Sequence, residues 1–182
     1  MKNIVRPSLV LTIATLFPVH AAELKIDKEK SRIQVDVKAT GHSFTCNLND
    51  YTAKASGDKT SAAPSAFSLS WDFADLGTGD EKRDKEMIKW LGGGKQTGAF
   101  SFTKGWSDGG GMTQAEGTLT VHGVSKTISI PYTVKREGDW LIIDGTAKMN
   151  YEDFSLPIIR TMALMTVDPK LTVRFHLTGE IR

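Results

Sequence analysis

The sequence predicts an all-β fold of antiparallel strands with one short helix. Apolar and polar residues alternate along most of the 182-residue chain, and a period of two gives each strand one apolar and one polar face. Short connections that contain glycine, such as His122-Gly123, join consecutive alternating runs and are typical of hairpins. A sheet built only from such strands must close on itself or pack against a second sheet.

Each strand is recognised from apolar residues at alternate positions, which we describe as residues of the same parity. In chain order the sets are Ile33, Val35 and Val37; Phe44, Cys46 and Leu48; Phe67, Leu69, Trp71 and Phe73; Phe100 and Phe102; Leu119 and Val121; Ile128, Ile130, Tyr132 and Val134; Leu141, Ile143, Ala147 and Met149; and Leu171, Val173, Phe175 and Leu177. They predict about eight strands. A barrel of that size lies at the limit between hollow and filled. In the filled alternative, five aromatic rings occupy the interior: Phe67, Trp71, Phe100, Phe102 and Phe175.

One segment has helical periodicity. Thr78 and Glu81 have the spacing of a capping box, with Thr78 as the N-cap. Four apolar residues then fall on one side of a helix: Met87, Ile88, Trp90 and Leu91. Because the glycines at 92–94 end this segment, we expect a short amphipathic helix that lies against the barrel or over one of its ends.

The first residues have the features of a secretory signal peptide. Lys2 and Arg6 precede a short apolar stretch at 9–17, and small residues offer a cleavage site at the end of segment 1–21. This predicts a periplasmic or secreted protein whose mature domain comprises residues 22–182. A buried first strand or helix is the alternative interpretation.

The charge balance of the mature chain excludes several classes of partner. The sequence contains 23 basic and 21 acidic side chains, and removal of Lys2 and Arg6 leaves 21 of each sign. No excess of basic residues remains to attract nucleic acid. No further apolar stretch is long enough to span a bilayer. Neither nucleic acid nor a transmembrane segment is therefore expected, whereas a homodimer is left open.

The sequence shows no catalytic or metal-binding constellation. The histidines of the mature chain, His42, His122 and His176, have no metal-ligand spacing, so neither a metal nor a cofactor is expected. His122 falls in a turn, and His176 falls with Thr178 on a polar strand face. The single cysteine, Cys46, is interpreted as a small buried hydrophobic residue rather than a reactive thiol.

His42 shares the parity of Phe44, Cys46 and Leu48, so its side chain is expected to point inward at one strand end. It either orients the head group of a ligand at the mouth of an apolar cavity or is a hydrogen-bonded histidine near a strand start. A nucleophilic pair with Cys46 is a further alternative, although no third residue is visible to orient it.

The segment from Phe154 to Met165 is apolar but does not alternate. Because loops are normally polar and exposed, this one either plugs a barrel end or lines an opening. Four of its residues are expected to touch an apolar tail or to close the mouth: Ile158, Ile159, Met162 and Leu164. Arg160 either caps a phosphate or quinone oxygen at the entrance or is a surface residue.

Three motifs resemble those of one protein family. Residues 117–126, GTLTVHGVSK, are similar to its G-x-L-T-I-x-G-V-T-K hairpin; residues 83–87, RDKEM, to its R-D-x-x-M/L helix start; and Asp153-Phe154 to its late D-F-G segment. The mature chain thus resembles the YceI-like family of periplasmic polyisoprenoid-binding proteins. Arg83 and Asp84 are expected to have structural roles at the helix start, where the helix dipole favours a carboxylate.

The resemblance implies a closed, antiparallel, lipocalin-like β-barrel that holds an isoprenoid or other long apolar chain, quinone-like or acyl, for storage or transport. It implies a binding protein and not an enzyme. The candidate ligand-binding residues, from strand parity and the apolar segment, are Val35, Val37, His42, Phe44, Leu48, Phe67, Leu69, Trp71, Phe100, Phe102, Leu119, Ile128, Ile130, Leu141, Ile143, Phe154, Ile158, Ile159, Arg160, Met162, Leu164 and Phe175. A non-liganded structural or interaction barrel and a lipid-modifying enzyme acting through His42 or Cys46 are the alternatives.

Overall fold

The computed structural model describes residues 22–59, 63–107, 112–161 and 165–182. The signal peptide predicted at 1–21 and the candidate residues Met162 and Leu164 lie outside the described residues. Within the described ranges, no helix is both long enough and apolar enough to cross a bilayer.

Strands make up most of the fold. In chain order they are β1 (Ala22–Ile26), β2 (Arg32–Ala39), β3 (His42–Leu48), β4 (Thr52–Gly57), β5 (Pro64–Asp72), β6 (Leu76–Gly77), β7 (Thr97–Ser107), β8 (Thr113–Val121), β9 (Val124–Glu137), β10 (Trp140–Asn150), β11 (Arg160–Thr161), β12 (Met165–Thr166) and β13 (Lys170–Ile181). Helix α1 spans Glu81–Trp90, and 3₁₀ turns occupy Phe73–Asp75 and Tyr151–Phe154.

Eight of these strands form a closed antiparallel barrel. Their order is β1-β4-β5-β7-β8-β9-β10-β13, and β13 returns to β1 through pairs such as Leu24 with Ile181. Because the first and last strands pair, this ring of strands has no free edge at that junction. The prediction of an all-β fold with a closed antiparallel barrel of about eight strands and one short helix is confirmed.

Three further strands extend the sheet at one end of the barrel. The C-terminal half of β13 pairs with β1, whereas its N-terminal half pairs with β2, as in Val173 with Val35. β3 and β6 follow β2 in the sheet, and α1 begins shortly after β6. We call this end of the barrel the helix end, and the end where Leu24 meets Ile181 the far end.

The hairpin of β8 and β9 forms around the predicted His122-Gly123 turn. Val121 pairs with Val124, and the two turn residues both have positive φ, 50° and 76°, as a two-residue type I′ turn requires. The His122 side chain is exposed, and its Nδ1 lies 3.2 Å from Gln96 Oε1. His122 is therefore a turn residue, as expected.

The N-cap of α1 is Asp80, and the predicted capping box from Thr78 to Glu81 is wrong. The Asp80 carboxylate accepts two backbone N–H groups of the first turn, at 2.9 and 3.1 Å. Thr78 precedes the N-cap, and its hydroxyl instead donates to the Asp84 carboxylate at 2.6 Å. The carboxylate therefore ties the helix to the chain before it, which is the structural role expected for Asp84.

The apolar side of α1 faces the barrel, as its spacing predicts. Leu91, which caps the C-terminus, is 1% exposed, and Met87 and Trp90 pack against buried residues of the barrel. Ile88 is only half-buried. The helix ends where expected, because the glycines at 92–94 all have positive φ, which side chains disfavour.

The expectation that Thr178 lies exposed on the polar face of β13 is wrong. It is 7% exposed because the turn before β2 covers it. Its N–H donates to Ser31 Oγ at 2.9 Å, and the Ser31 hydroxyl donates to the carbonyl of Asp27 at 2.6 Å. His176 does lie on the outer face, where its Nδ1 is 2.7 Å from the Asp144 carboxylate.

Candidate functional site

The inward faces of the strands enclose a cavity of about 760 Å³. Phe73 of the first 3₁₀ turn lines it, and its strand wall includes side chains at alternate positions of each strand: Ile33, Val35, Val37, Phe44, Cys46, Leu48, Phe67, Leu69, Trp71, Phe100, Phe102, Leu119, Val121, Ile128, Ile130, Tyr132, Val134, Leu141, Ile143, Ala147, Met149, Leu171, Val173, Phe175 and Leu177. Nearly all are apolar. The barrel is therefore hollow and not completely filled.

Two large rings lie over glycines of the neighbouring strand. Trp71 pairs with Gly98, and Phe175 pairs with Gly145. A Cβ added at either glycine would overlap the ring beside it. Because these positions carry no side chain, each ring can lie along the wall, as aromatic residues do over cross-strand glycines. This arrangement leaves room along the barrel axis.

One mouth of the cavity is at the helix end, where residues from three elements form what we call the collar. The collar comprises Arg83, Glu86 and Lys89 of α1, His42 and Phe44 of β3, and Arg160 and Met165 of the β11–β12 hairpin. The guanidinium carbon of Arg83 lies 4.2 Å from the centre of the Phe44 ring, so a cation–π contact joins α1 to β3.

Hydrogen bonds hold the other elements of the collar together. Trp90 Nε1 donates to the carbonyl of Pro157 at 3.0 Å, which links α1 to the segment before β11. The N–H of Thr40, in the β2–β3 turn, donates to the carbonyl of Thr166 in β12 at 3.0 Å. Together with the Arg83 contact, these bonds make the collar a continuous rim.

Tyr151 anchors the apolar segment that follows β10. Its hydroxyl donates to the carbonyl of Val167 at 3.0 Å and accepts the N–H of Ile159 at 3.2 Å. Burial raises the pKa of Tyr151, so the phenol keeps the proton that it donates. Phe154 and Leu156 are 2% and 5% exposed, so the start of the segment plugs the barrel.

The later part of the segment lies at the opening. Ile158, Ile159 and Arg160 line the cavity, and so does Phe154. The described part of the segment thus both plugs the barrel end and lines the opening, the two alternatives that the sequence left open.

Cys46 and His42, the candidates for a nucleophilic pair, lie in different surroundings. Cys46 is buried, and burial raises the pKa of its thiol to about 11, whereas a nucleophile needs a lowered pKa. His42 is exposed at the rim and stacks on Phe44 with ring centres 5.9 Å apart. The interpretation of Cys46 as a small buried residue is confirmed.

Alkylation of Cys46 is expected to be slow in the folded protein up to about pH 9, because only the thiolate reacts readily and its pKa is about 11. The pKa of Cys46 is also higher in the folded chain than in the unfolded chain. The free energy of unfolding should therefore fall as pH rises from about 9 toward 11. Iodoacetamide labelling followed by intact mass measures the rate. The guanidinium-unfolded chain is the control, and equally fast labelling of both states would contradict the prediction.

Sequence reasoning missed the contribution of α1 to the cavity. Arg83, Met87 and Trp90 all line it, and their spacing places them on one face of the helix. The available signal was the position of Arg83 on the same helix face as Met87 and Trp90. Tyr151 and Val167 also line the cavity, but no periodicity marks them.

Comparison with known families identifies the fold. The family model described as YceI-like domain matches residues 24–179. The chain belongs to the YceI-like family. A UPF0312 protein of Vibrio vulnificus is 27% identical to this YceI-like chain, over 92% of this chain and 95% of its own length. A UPF0312 protein of Pseudomonas putida is 31% identical over 75% of this chain and 77% of its own length.

Solved structures share the YceI-like barrel. BcnA of Burkholderia cenocepacia matches with a TM-score of 0.71 and 20% identity, covering 85% of this chain and 99% of that protein. A polyisoprenoid-binding domain from Saccharophagus degradans, implicated in plant cell wall breakdown, matches with a TM-score of 0.66 and 15% identity, covering 89% and 99%. At these identities the likeness establishes the fold alone.

Proposed function

We propose that this YceI-like protein binds one long apolar chain, an isoprenoid or acyl lipid, inside its barrel, and that it stores or transports this lipid. The observation that carries the proposal is the apolar wall around a cavity of about 760 Å³. Small-molecule sites usually measure about 300–1,000 Å³ and are mostly apolar. Membership of the family and the polyisoprenoid-binding neighbour support the same ligand class.

The energetics suit a tail without polar groups. Each buried CH₂ contributes about 0.8 kcal/mol, so about ten buried carbons supply about 8 kcal/mol, comparable to micromolar binding before ordering costs. The apolar wall residues can supply this binding free energy without any charged groups. The candidate residues from strand parity would contact the tail, and Ile158, Ile159, Met162 and Leu164 would border its entrance.

Binding, and not catalysis, is the proposed activity. The Cys46 thiol is protonated at neutral pH, since its pKa is about 11, and His42 lies exposed at the rim. Neither residue is prepared for attack on a bound lipid.

We further propose that residues 1–21 are a signal peptide and that residues 22–182 form the exported, periplasmic or secreted domain. The charged and apolar regions of the first segment support this. Intact-mass measurement of the protein from its own host is expected to show a chain that begins at Ala22. An uncleaved species in the cytoplasm would contradict it.

The ligand is tested by mass spectrometry of an organic extract from the purified native protein. We expect one class of isoprenoid or acyl lipid, in near-stoichiometric amount after gel filtration. The same extract from the double variant Val35→Trp, Val173→Trp, whose cavity is blocked, should lack this lipid. If the native protein neither carries nor takes up such lipids, the non-liganded barrel becomes the better interpretation.

A further inference from the structure

The wall of the cavity carries one hydroxyl group that has no hydrogen-bond partner in the described part of the chain. The residues that line the cavity and have a hydroxyl are Ser56, Thr78, Tyr132 and Tyr151. The hydroxyls of Ser56, Thr78 and Tyr151 each bond to another group of the protein. The Tyr132 hydroxyl has no such partner, although the residue is only 6% exposed.

Tyr132 lies deep in the barrel, toward the far end. The turn between β8 and β9 is at the helix end, because His122 lies against Gly92, which follows α1. From Val124, the first residue of β9, the strand runs eight residues to Tyr132, which is about 26 Å of strand. The phenol therefore lies far from the collar.

The surroundings of Tyr132 are apolar. Its inward neighbours on β9 are Ile130 and Val134. On β10 it pairs with Gly145, which has no side chain, and on β8 with Thr113, which does not line the cavity. Burial raises the pKa of Tyr132, so the phenol keeps its proton and presents a donor.

A buried donor without an acceptor costs free energy, and a water molecule is a poor substitute where few other polar groups can hold it. The position of Tyr132 is therefore suited to an acceptor that an apolar ligand brings with it. A tail without polar groups would be held by the wall but would leave the phenol without a partner.

We infer that Tyr132 is a specificity-determining residue, which donates a hydrogen bond to an uncharged oxygen on the buried part of the bound chain, a carbonyl, hydroxyl or ether group. This inference rests on the proposed function and adds one polar group to the tail. The oxygen is uncharged because burial of an unpaired ion is costly. In the described ranges, the charged residues that line the far end, Glu23 and Asp58, are both acidic, which further disfavours an anion there.

The experiment uses two pairs of chains that differ in one carbonyl group. In the isoprenoid pair, the ketone oxygen of phytone stands where pristane has a methyl group. In the straight-chain pair, methyl tetradecyl ketone is compared with hexadecane. None of the four is charged, so each chain can enter in either direction. Displacement of cis-parinaric acid, titrated separately in each variant, reports the affinities.

The comparison between wild type and Tyr132→Phe isolates the hydrogen bond, because dehydration of the carbonyl weakens ketone binding to both proteins alike. We expect Tyr132→Phe to weaken binding of both ketones about tenfold. The affinities for pristane and hexadecane should stay unchanged.

The other two tyrosines provide matched controls. Tyr51 is 5% exposed and does not line the cavity, so Tyr51→Phe is expected to leave ketone binding unchanged. The Tyr151 hydroxyl bonds to Val167 and Ile159, so Tyr151→Phe should lower the free energy of unfolding of the ligand-free protein. Tyr132→Phe should not lower it, because the hydroxyl that it removes has no partner.

The outcomes distinguish this inference from the proposed function. If Tyr132→Phe binds the ketones as tightly as wild type does, or weakens ketones and hydrocarbons equally, the inference is refuted while lipid binding stands. It is also refuted if ligand-free Tyr132→Phe is as destabilised as Tyr151→Phe, since the hydroxyl would then have a structural role. If none of the four chains binds, both proposals fail.

Discussion

Replacement of Gly145 by alanine is expected to destabilise the barrel and to weaken binding of an apolar chain together. A Cβ at this position would overlap the Phe175 ring, which lies over Gly145 on the neighbouring strand. The ring must then turn toward the barrel axis. Overpacking of this kind costs about 1–3 kcal/mol, and a ring in the cavity should lower affinity by about tenfold, or about 1.4 kcal/mol. Urea unfolding and lipid titration measure the two effects.

A double-mutant cycle shows whether the ring is the cause. Phe175→Leu removes the ring that the new methyl group would meet, so the double variant Gly145→Ala, Phe175→Leu should be less destabilised than the sum of the single variants. Thr146→Ala, at an exposed position beside Gly145, is the control and should have little effect. Strict additivity of the two single changes would show that the ring and the glycine are not coupled.

The double variant Val35→Trp, Val173→Trp is expected to abolish lipid retention while the protein stays folded. The two valines pair across β2 and β13 and both line the cavity. Indole rings placed there enter open space. Overpacking a filled core costs about 1–3 kcal/mol, and the free energy of unfolding of this variant should fall by less than that. Mass spectrometry of an organic extract and urea unfolding report the two quantities.

A tryptophan on the outer face provides the matched control. Lys148 lies in β10 with an exposed side chain, so Lys148→Trp adds the same ring without entering the barrel and should leave lipid retention unchanged. Unfolding of the double variant would show that the interior is filled. Retention of lipid by a folded double variant would place the ligand elsewhere.

Strand parity was enough to predict which side chains face inward. In any strand, residues two apart share a face whatever the neighbouring strand is, so Val35 and Val37, or Ile128 and Ile130, could be assigned without knowledge of the pairing. All of the parity residues named from the sequence line the cavity. Their contact with a ligand stays a prediction.

The hollow interior could not be predicted, because it depends on register. Whether Phe175 lies along the wall or fills the centre is decided by Gly145 opposite it, a residue thirty positions earlier in the chain. The error at Thr178 has the same origin, because Thr178 is buried by Ser31, which is distant in sequence. The error at the N-cap is local: both Thr78 and Asp80 can cap a helix, and the carboxylate of Asp80 accepts the free N–H groups of the first turn.

The pairing of β1 with β13 brings together residues from opposite extremities of the described chain, Leu24 and Ile181. Contacts so distant in sequence form late and slowly, and a growing polypeptide cannot make this one until residues 179–181 have been synthesised. Before then, the strands that have emerged can form only an open sheet with unpaired edges, which is prone to aggregate. The barrel closes only once residues 179–181 are available to pair, so a lipid must be loaded into a closed barrel and cannot be wrapped by a growing one.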